Sequence, residues 1–425
     1  MTARPCPSKE FTPLEPASLA AAGLTVSTVE GLVLKHLLGS SVLTGRQIAD
    51  GLQLPLAILG DLLRRLKTEQ IVVYKASSGV NDYEYELTPQ GFERAHRLFQ
   101  HSAYRGPAPV PFADYVASVT EQSPSKLAPK AADLRRALHG LQIDPRLFSQ
   151  LGEAISSVGA IFLYGAPGNG KTSIAERLTA AFGPTIWIPH VIDVDGEIIQ
   201  VFDPIVHTEV PVDAQTLSQR PDNRWAHIRR PTIIAGGELT LENLEMGKRS
   251  AAGLVEAPLH LKSNCGTLVI DDFGRQRVST VDLLNRWIVP LEKRYDYLTT
   301  PCGRKIQVPF NQMIVFATNL EPRQLVDEAF LRRIPYKIET LDPTEDEFRR
   351  LCRSVAESYT IVYHEEVIDH LIDTHYRKSR RPFRFCHPRD LLLQVRNHCN
   401  FHERNLELTT EAIDAAVANY FVGAS

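Results

Sequence analysis

The sequence predicts an α/β chain: a parallel sheet covered by helices, preceded by a small α+β unit and followed by an α-helical C-terminal part. Three observations predict it. Short apolar runs at Ala160–Tyr164, Thr185–Pro189, Gly266–Ile270 and Met313–Thr318 alternate with helical stretches, as strands buried on both faces do. Between Val26 and Gln100 a helix, two short helices and two strands follow one another. From about Asp342 onward the apolar spacing is helical to the end.

Composition sets the outer limits. The chain has 425 residues, room for two or three domains, with 23% charged and 43% hydrophobic residues. A net charge of −3 gives no global basic field toward nucleic acid or anionic membrane. No run of eighteen apolar residues occurs, and the N-terminus lacks the profile of a signal peptide, so no membrane partner is expected. Six cysteines are scattered without a CxxC pair, which points to reduced thiols and a cytoplasmic setting.

Residues 1–25 read as a loose leader rich in proline and small residues. In the unit 26–105, Ser27–Leu38 has helical apolar spacing. Thr44 is placed to cap a helix over Gly45–Leu52, and Pro55 opens another that runs to about Thr68. Ile71–Lys75 and Tyr83–Leu87 form two strands around the loop Ala-Ser-Ser-Gly-Val-Asn, and Thr88-Pro89 starts a further helix. This order resembles a winged-helix domain. Residues 106–124 begin with Gly-Pro-Ala-Pro-Val-Pro and read as an extended spacer. The α/β core then spans 125–341 and the helical part 342–425.

The chemistry-bearing motif follows the first apolar run. Gly165-Ala166-Pro167-Gly168-Asn169-Gly170-Lys171-Thr172 stands between a strand and the helix opened by Ser173, the context that a phosphate loop demands. Glycines let successive N–H groups turn toward an anion, and the helix adds its positive end. Lys171 is placed for the β/γ-phosphates of ATP, and the Thr172 hydroxyl for Mg²⁺. About a hundred residues on, Thr267-Leu-Val-Ile ends in Asp271-Asp272, two carboxylates at the edge of a buried strand. Asp271 is the expected Mg²⁺ ligand, and Asp272 the group that orients or deprotonates the attacking water.

With both motifs in place, residues 125–425 resemble an AAA+ ATPase. The resemblance implies further roles. Asn319, ending Ile314-Val-Phe-Ala-Thr, matches the polar sensor 1 position. Asp327-Glu-Ala-Phe-Leu-Arg-Arg-Ile334 is similar to the arginine-finger segment of the MoxR-like branch, with Arg333 as first choice and Arg332 as second. His387-Pro-Arg-Asp-Leu-Leu392 is similar to the lid helix whose first-turn arginine meets phosphate, which makes Arg389 the sensor 2 candidate. Many members carry Asp-Glu after the second strand motif, whereas this chain carries Asp-Asp, as DnaA-like initiators do. A carboxylate one methylene shorter implies slow turnover. The combined order resembles bacterial AAA-family ATP-binding proteins, and it implies self-association into a homo-oligomer, a hexamer being one form.

The expected work is remodelling of a protein client, with an ATP-switched DNA-binding regulator as the alternative. Insertions such as His190–Ser263 face substrate in the family, which draws attention to Arg224, Trp225, Arg229 and Arg230; the other reading is a solvated loop with a buried Trp. A hairpin is expected around Asp195-Gly196. Against DNA, residues 1–105 hold eleven Lys plus Arg and ten Asp plus Glu. The helix from Pro55 opens without donors for base edges, and Asp82, Glu84 and Glu86 would repel phosphates. Arg64, Arg65 and Lys67 form a small basic cluster. Cys386-His387 and His398-Cys399 do not make a metal site, because neighbouring helical residues point apart.

Overall fold

A computed structural model describes residues 11–79, 82–212, 219–248, 250, 253–325 and 328–421. Val80 and Asn81 of the expected hairpin loop, Asp327 of the expected finger segment, and residues 1–10 of the leader lie outside them. The described chain divides into two compact units. One comprises the described residues within 11–129, 182–268 and 282–313; the other comprises those within 130–181, 269–281 and 314–421.

The elements that frame the phosphate loop are α1 (Pro145–Ser157), β1 (Ala160–Gly165), α2 (Lys171–Leu178), β2 (Thr232–Ala235), β3 (Thr267–Ile270), β4 (Met313–Thr318), α3 (Glu328–Leu331) and β5 (Tyr336–Thr340). The C-terminal helices are α4 (Glu345–Ser358), α5 (Glu365–His370), α6 (His387–Phe401) and α7 (Thr410–Tyr420). The five strands form a parallel sheet in the order β2–β3–β4–β1–β5. Its central strands are runs without polar alternation: β3 and β4 are buried at every position and β1 at its first four. Strands covered by helices on both faces have no wet side for a polar residue to occupy. Register is direct, with Phe316 opposite Phe162 and Ile338 opposite Leu163.

Local sequence starts the helices. The Asp144 carboxylate accepts from the N–H groups of Arg146 and Leu147 at 2.7 and 3.2 Å, with Pro145 in the first turn of α1. Thr344 and Glu347 form a reciprocal capping box on α4. Phe348, Cys352, Ile368, Tyr376, Leu392, Val395 and Ile413 close one apolar core among the C-terminal helices.

In the first unit, helices Val26–Ser40, Gly45–Leu52, Leu56–Thr68 and Pro89–His101 surround an antiparallel three-stranded sheet. Two of its strands, Val72–Ser77 and Tyr83–Leu87, follow the sequence expectation. The third, Val42–Thr44, is too short for a period-2 signal and forms by pairing with Glu84–Glu86. Asp82 is buried and accepts from the Gly45 N–H at 2.8 Å, so this acid serves as a helix cap.

Residues 106–124, expected as an extended spacer, hold a strand at Val110–Pro111 paired with Val191–Val194 and a helix at Phe112–Glu121. Burial of Tyr115 and Val119 outweighs the proline signal there. Thr185–Pro189, expected in the parallel sheet, instead pairs antiparallel with Trp225–Arg229 in a two-stranded sheet of its own. The insertion folds back and supplies a nearer partner. The hairpin at Asp195-Gly196 is present, both residues with positive φ (53° and 89°), joining Val191–Val194 to Glu197–Gln200.

Candidate nucleotide-binding site

β1 delivers the chain to the sheet's C-terminal edge, and the glycines then let it turn. Gly165 has φ 139° and Gly168 φ 82°; a Cβ on Gly165 would lie 2.5 Å from the Thr340 carbonyl oxygen. Gly170, at φ 74°, precedes the first residue of α2, and Ser173 is half-buried in that first turn. The loop is held from β5: Asn169 Nδ2 donates to Asp342 Oδ1 at 2.7 Å and to the Thr340 carbonyl at 3.3 Å.

Lys171 is 8% exposed, and its ammonium donates to the carbonyls of Gly165 and Ala166, each at 2.9 Å, and to Asn319 Oδ1 at 2.6 Å. Burial lowers its pKa from the ordinary value; the carboxylates of Asp271 and Asp272 oppose that shift, and the Arg384 guanidinium adds to it. Thr172 Oγ1 donates to Asp271 Oδ2 at 2.8 Å. Asn319 Nδ2 donates to Asp272 Oδ1 at 3.3 Å. The ends of β3 and β4 are pinned together by Phe273 N–H to the Ala317 carbonyl at 2.8 Å and by Thr318 Oγ1 to the Phe273 carbonyl at 2.9 Å. That pinning sets Asp272 beside Asn319. Asp272 adopts φ 48°, a left-handed conformation that Asp tolerates better than most residues.

Residues Gly165–Thr172, Asp271, Asp272 and Asn319, far apart in the chain, are thus joined at one sheet edge. The arginines fare differently. Arg389 is 67% exposed at its side chain and pairs with the adjacent Asp390 at 3.0 Å, with no contact to the phosphate loop among the described residues. Arg384, which the sequence reading passed over, faces the loop. It pairs with Asp342, the residue that also holds Asn169, and its charge acts on Lys171. Cys386 follows, its N–H donating to the Gly168 carbonyl at 3.0 Å. Nothing local in the sequence marks Asp342, Arg384 or Cys386, since each matters through a loop about 170 to 220 residues earlier in the chain.

Arg332 and Arg333 follow the short helix α3 in a turn. Arg332 is 79% exposed and 3.9 Å from Glu328; Arg333 is half-buried. Arg332 lines an open cavity of about 1000 Å³ with Tyr164, Arg323, Glu328, Lys337 and Glu339. In the insertion, Arg224 is buried and forms a fork with both oxygens of Asp222, while its Nη1 reaches the Ala22 carbonyl at 2.9 Å. Trp225 is buried against Phe11, and Arg230 donates to the Gln122 and Cys265 carbonyls. These three side chains are structural. Arg229 stays exposed.

A parallel sheet of this order, with a glycine loop between the end of β1 and the first residue of α2 and a helical region after β5, has the α/β arrangement of a P-loop NTPase fold. Residues 344–419, covering the C-terminal helices, match the family described as a domain of unknown function, DUF8689. No curated protein matches the chain. Among solved structures, the RuvB Holliday junction branch migration motor from Thermotoga maritima is similar at 12% identity and TM-score 0.37, over 66% of this chain and 71% of that one. NtrX from Brucella abortus is similar at 12% identity and TM-score 0.43, over 69% of this chain and 59% of that one. Among the described residues, no helix is long and apolar enough to cross a membrane.

Proposed function

We propose that this chain is a cytoplasmic AAA+ ATPase that binds Mg²⁺–ATP, hydrolyses it slowly within a homo-oligomer, and uses the cycle to remodel or regulate a protein client. The observation that carries this reading is the 2.8 Å pair of Thr172 Oγ1 and Asp271 Oδ2, set beside the Lys171–Asn319–Asp272 chain. Two oxygens on adjacent corners of a Mg²⁺ octahedron with bonds of about 2.0–2.1 Å stand about 2.9 Å apart. The Thr172–Asp271 pair has that spacing and the hard-oxygen chemistry that Mg²⁺ prefers. ATP supplies the phosphoanhydride whose γ-phosphoryl passes to water.

Each residue then has a task. The loop N–H groups and Lys171 hold the β- and γ-phosphates. Asp272 orients the attacking water, and Asn319 holds Asp272 in place. Arg332 is the better finger, because a side chain that serves a neighbouring subunit must reach out from its own, and it is the more exposed of the two. A finger of this kind is worth about 10³–10⁵ in rate. A ring of such subunits, a hexamer for instance, follows from that division of labour.

Residues 26–105 are read as a winged helix that docks protein. Its basic cluster is already engaged: Arg64 pairs with Asp61, Arg65 with Glu69 at 2.6 Å, and the Lys67 ammonium sits 5.1 Å over the Tyr74 ring. Charges neutralised within the chain release few counterions from DNA. In the insertion, Ile205 stands 89% exposed on a turn, an apolar tip suited to a polypeptide.

The experiment is ATP turnover by the purified protein with and without duplex DNA, beside size-exclusion chromatography with a slowly hydrolysed analogue. Turnover indifferent to DNA, together with nucleotide-dependent assembly, is expected. Stimulation by DNA with a matching gel shift would replace the client reading with the DNA-binding regulator. Absence of any turnover would remove the enzyme reading.

A further inference from the structure

His370 ends α5, and His375 lies five residues on, inside the segment Leu371–Arg377. On an α-helix of 3.6 residues per turn, positions five apart point about 140° away from each other. The segment is instead wound as a π-turn, with the Lys378 N–H bonded to the Asp373 carbonyl at 3.3 Å. Bonding from i to i+5 lowers the rotation per residue, so positions five apart stand closer to one face than on an α-helix, and such turns concentrate at functional sites. The two imidazoles accordingly converge, their ring centres 5.7 Å apart.

They converge on one carboxylate. His370 Nε2 lies 2.9 Å and His375 Nε2 2.7 Å from Asp414 Oδ1, which α7 contributes. One ligand atom from each of the three residues falls within 4.8 Å of the others. All three side chains are partly open, with exposures of 32%, 22% and 44%, so an ion and a water have access. The set is two imidazoles and a carboxylate, a donor combination that suits zinc with solvent in the fourth position. Ligands on a tetrahedral ion with bonds of about 2.0–2.1 Å stand about 3.3 Å apart. Movements of about half an ångström by each ring would bring the two His–Asp414 distances to that spacing. Arg381 Nη1 donates to the His375 carbonyl at 3.0 Å and steadies the turn that carries this ligand.

We propose that His370, His375 and Asp414 form a divalent transition-metal site, of zinc type, that ties the π-turned end of α5 to α7 within the C-terminal helical region. The site belongs to the region matched by the family of unknown function and is independent of the nucleotide reading.

The test uses the full-length protein, stripped with a chelator and titrated with Zn²⁺ by calorimetry, with Co²⁺ substitution followed by its visible absorption. One ion per chain is expected, with tetrahedral-type Co²⁺ bands. Asp414→Asn and His375→Gln, both close in shape to the native side chains, should each weaken Zn²⁺ at least about tenfold while circular dichroism stays unchanged. Added Zn²⁺ should raise the Tm of the native chain and not that of the double variant His370→Gln/His375→Gln. Cys302→Ser, at an exposed thiol elsewhere, should leave the affinity as it was. Absence of saturable Zn²⁺ binding, or binding undiminished in the double variant, would overturn the site and leave a carboxylate bridging two imidazoles by hydrogen bonds.

Discussion

The Lys171 ammonium donates to Asn319 Oδ1 at 2.6 Å, which joins the phosphate loop to the end of β4 across 148 residues of sequence. Asn319 passes the link on to Asp272 through its amide nitrogen. One carboxamide therefore ties the Lys171 ammonium to the Asp272 carboxylate. Lys171→Ala is expected to weaken ATP binding about 10- to 100-fold or more, as loss of a charge-assisted hydrogen bond does. Asn319→Ala should leave the Kd within a few-fold and lower kcat. Calorimetric ATP titration and phosphate-release kinetics separate the two effects, and equal losses of affinity would show that Asn319 acts only through Lys171.

Asp272 calls for a particular substitution. Its φ of 48° adds about 1–2 kcal/mol of backbone strain for a residue such as Ala, whereas Asn accepts the conformation. Asp272→Asn should therefore bind ATP normally and lose about 10²-fold in turnover. Asp271→Asn should raise the Mg²⁺ concentration needed for half-maximal activity. Normal hydrolysis by Asp272→Asn would assign the water to another group.

The C-terminal arginines divide cleanly. Arg384 is tied to Asp342 and senses Lys171, while Arg389 pairs with its neighbour in solvent. Arg384→Ala should change ATP affinity by about tenfold or more, and Arg389→Ala by less than about threefold. The same titration with each variant decides, and the reverse ranking would restore Arg389 as the phosphate-sensing residue.

Close packing at Gly168 makes a further prediction. A Cβ there would stand 2.5 Å from Cys386 Sγ, and φ is 82°. Gly168→Ala should lower stability by about 1–3 kcal/mol in denaturant melts. Cys386→Ala in the same chain should recover the steric share and leave the backbone share.

His387 gives the C-terminal helices a pH dependence. Burial is the main cause that lowers its pKa to about 4, with the nearby Arg384 and Arg381 charges adding to it, and its Nδ1 lies 2.8 Å from the Tyr376 hydroxyl. The unfolded imidazole takes up a proton near pH 6.5, while the folded one stays neutral until about pH 4. Stability is therefore lost as pH falls from about 6.5 to 4 and levels off below, with an upper bound of about 3 kcal/mol from this group. His387→Gln should flatten that part of the curve in thermal melts. An unchanged slope would place the dependence on other groups.

Much of this protein is written locally. Gly165–Thr172 between an apolar run and a helix, two carboxylates after a second run, and a polar residue after a third are all short-range patterns, because strand burial and phosphate binding impose composition on consecutive residues. Thr44 and Thr88 announce their helices for the same reason: a cap bonds only a few residues away.

What the sequence by itself determined is therefore the sheet's central strands, the loop and the acids at their ends. Tertiary structure decided everything that depends on distant partners. It placed Thr185–Pro189 outside the main sheet, turned Arg224, Trp225 and Arg230 inward, and brought Arg384 rather than Arg389 toward the phosphate loop. It also wound one turn as a π-helix so that His370 and His375 meet Asp414. No periodicity encodes such choices, because burial and ion pairing are settled by whichever groups the fold brings within a few ångströms.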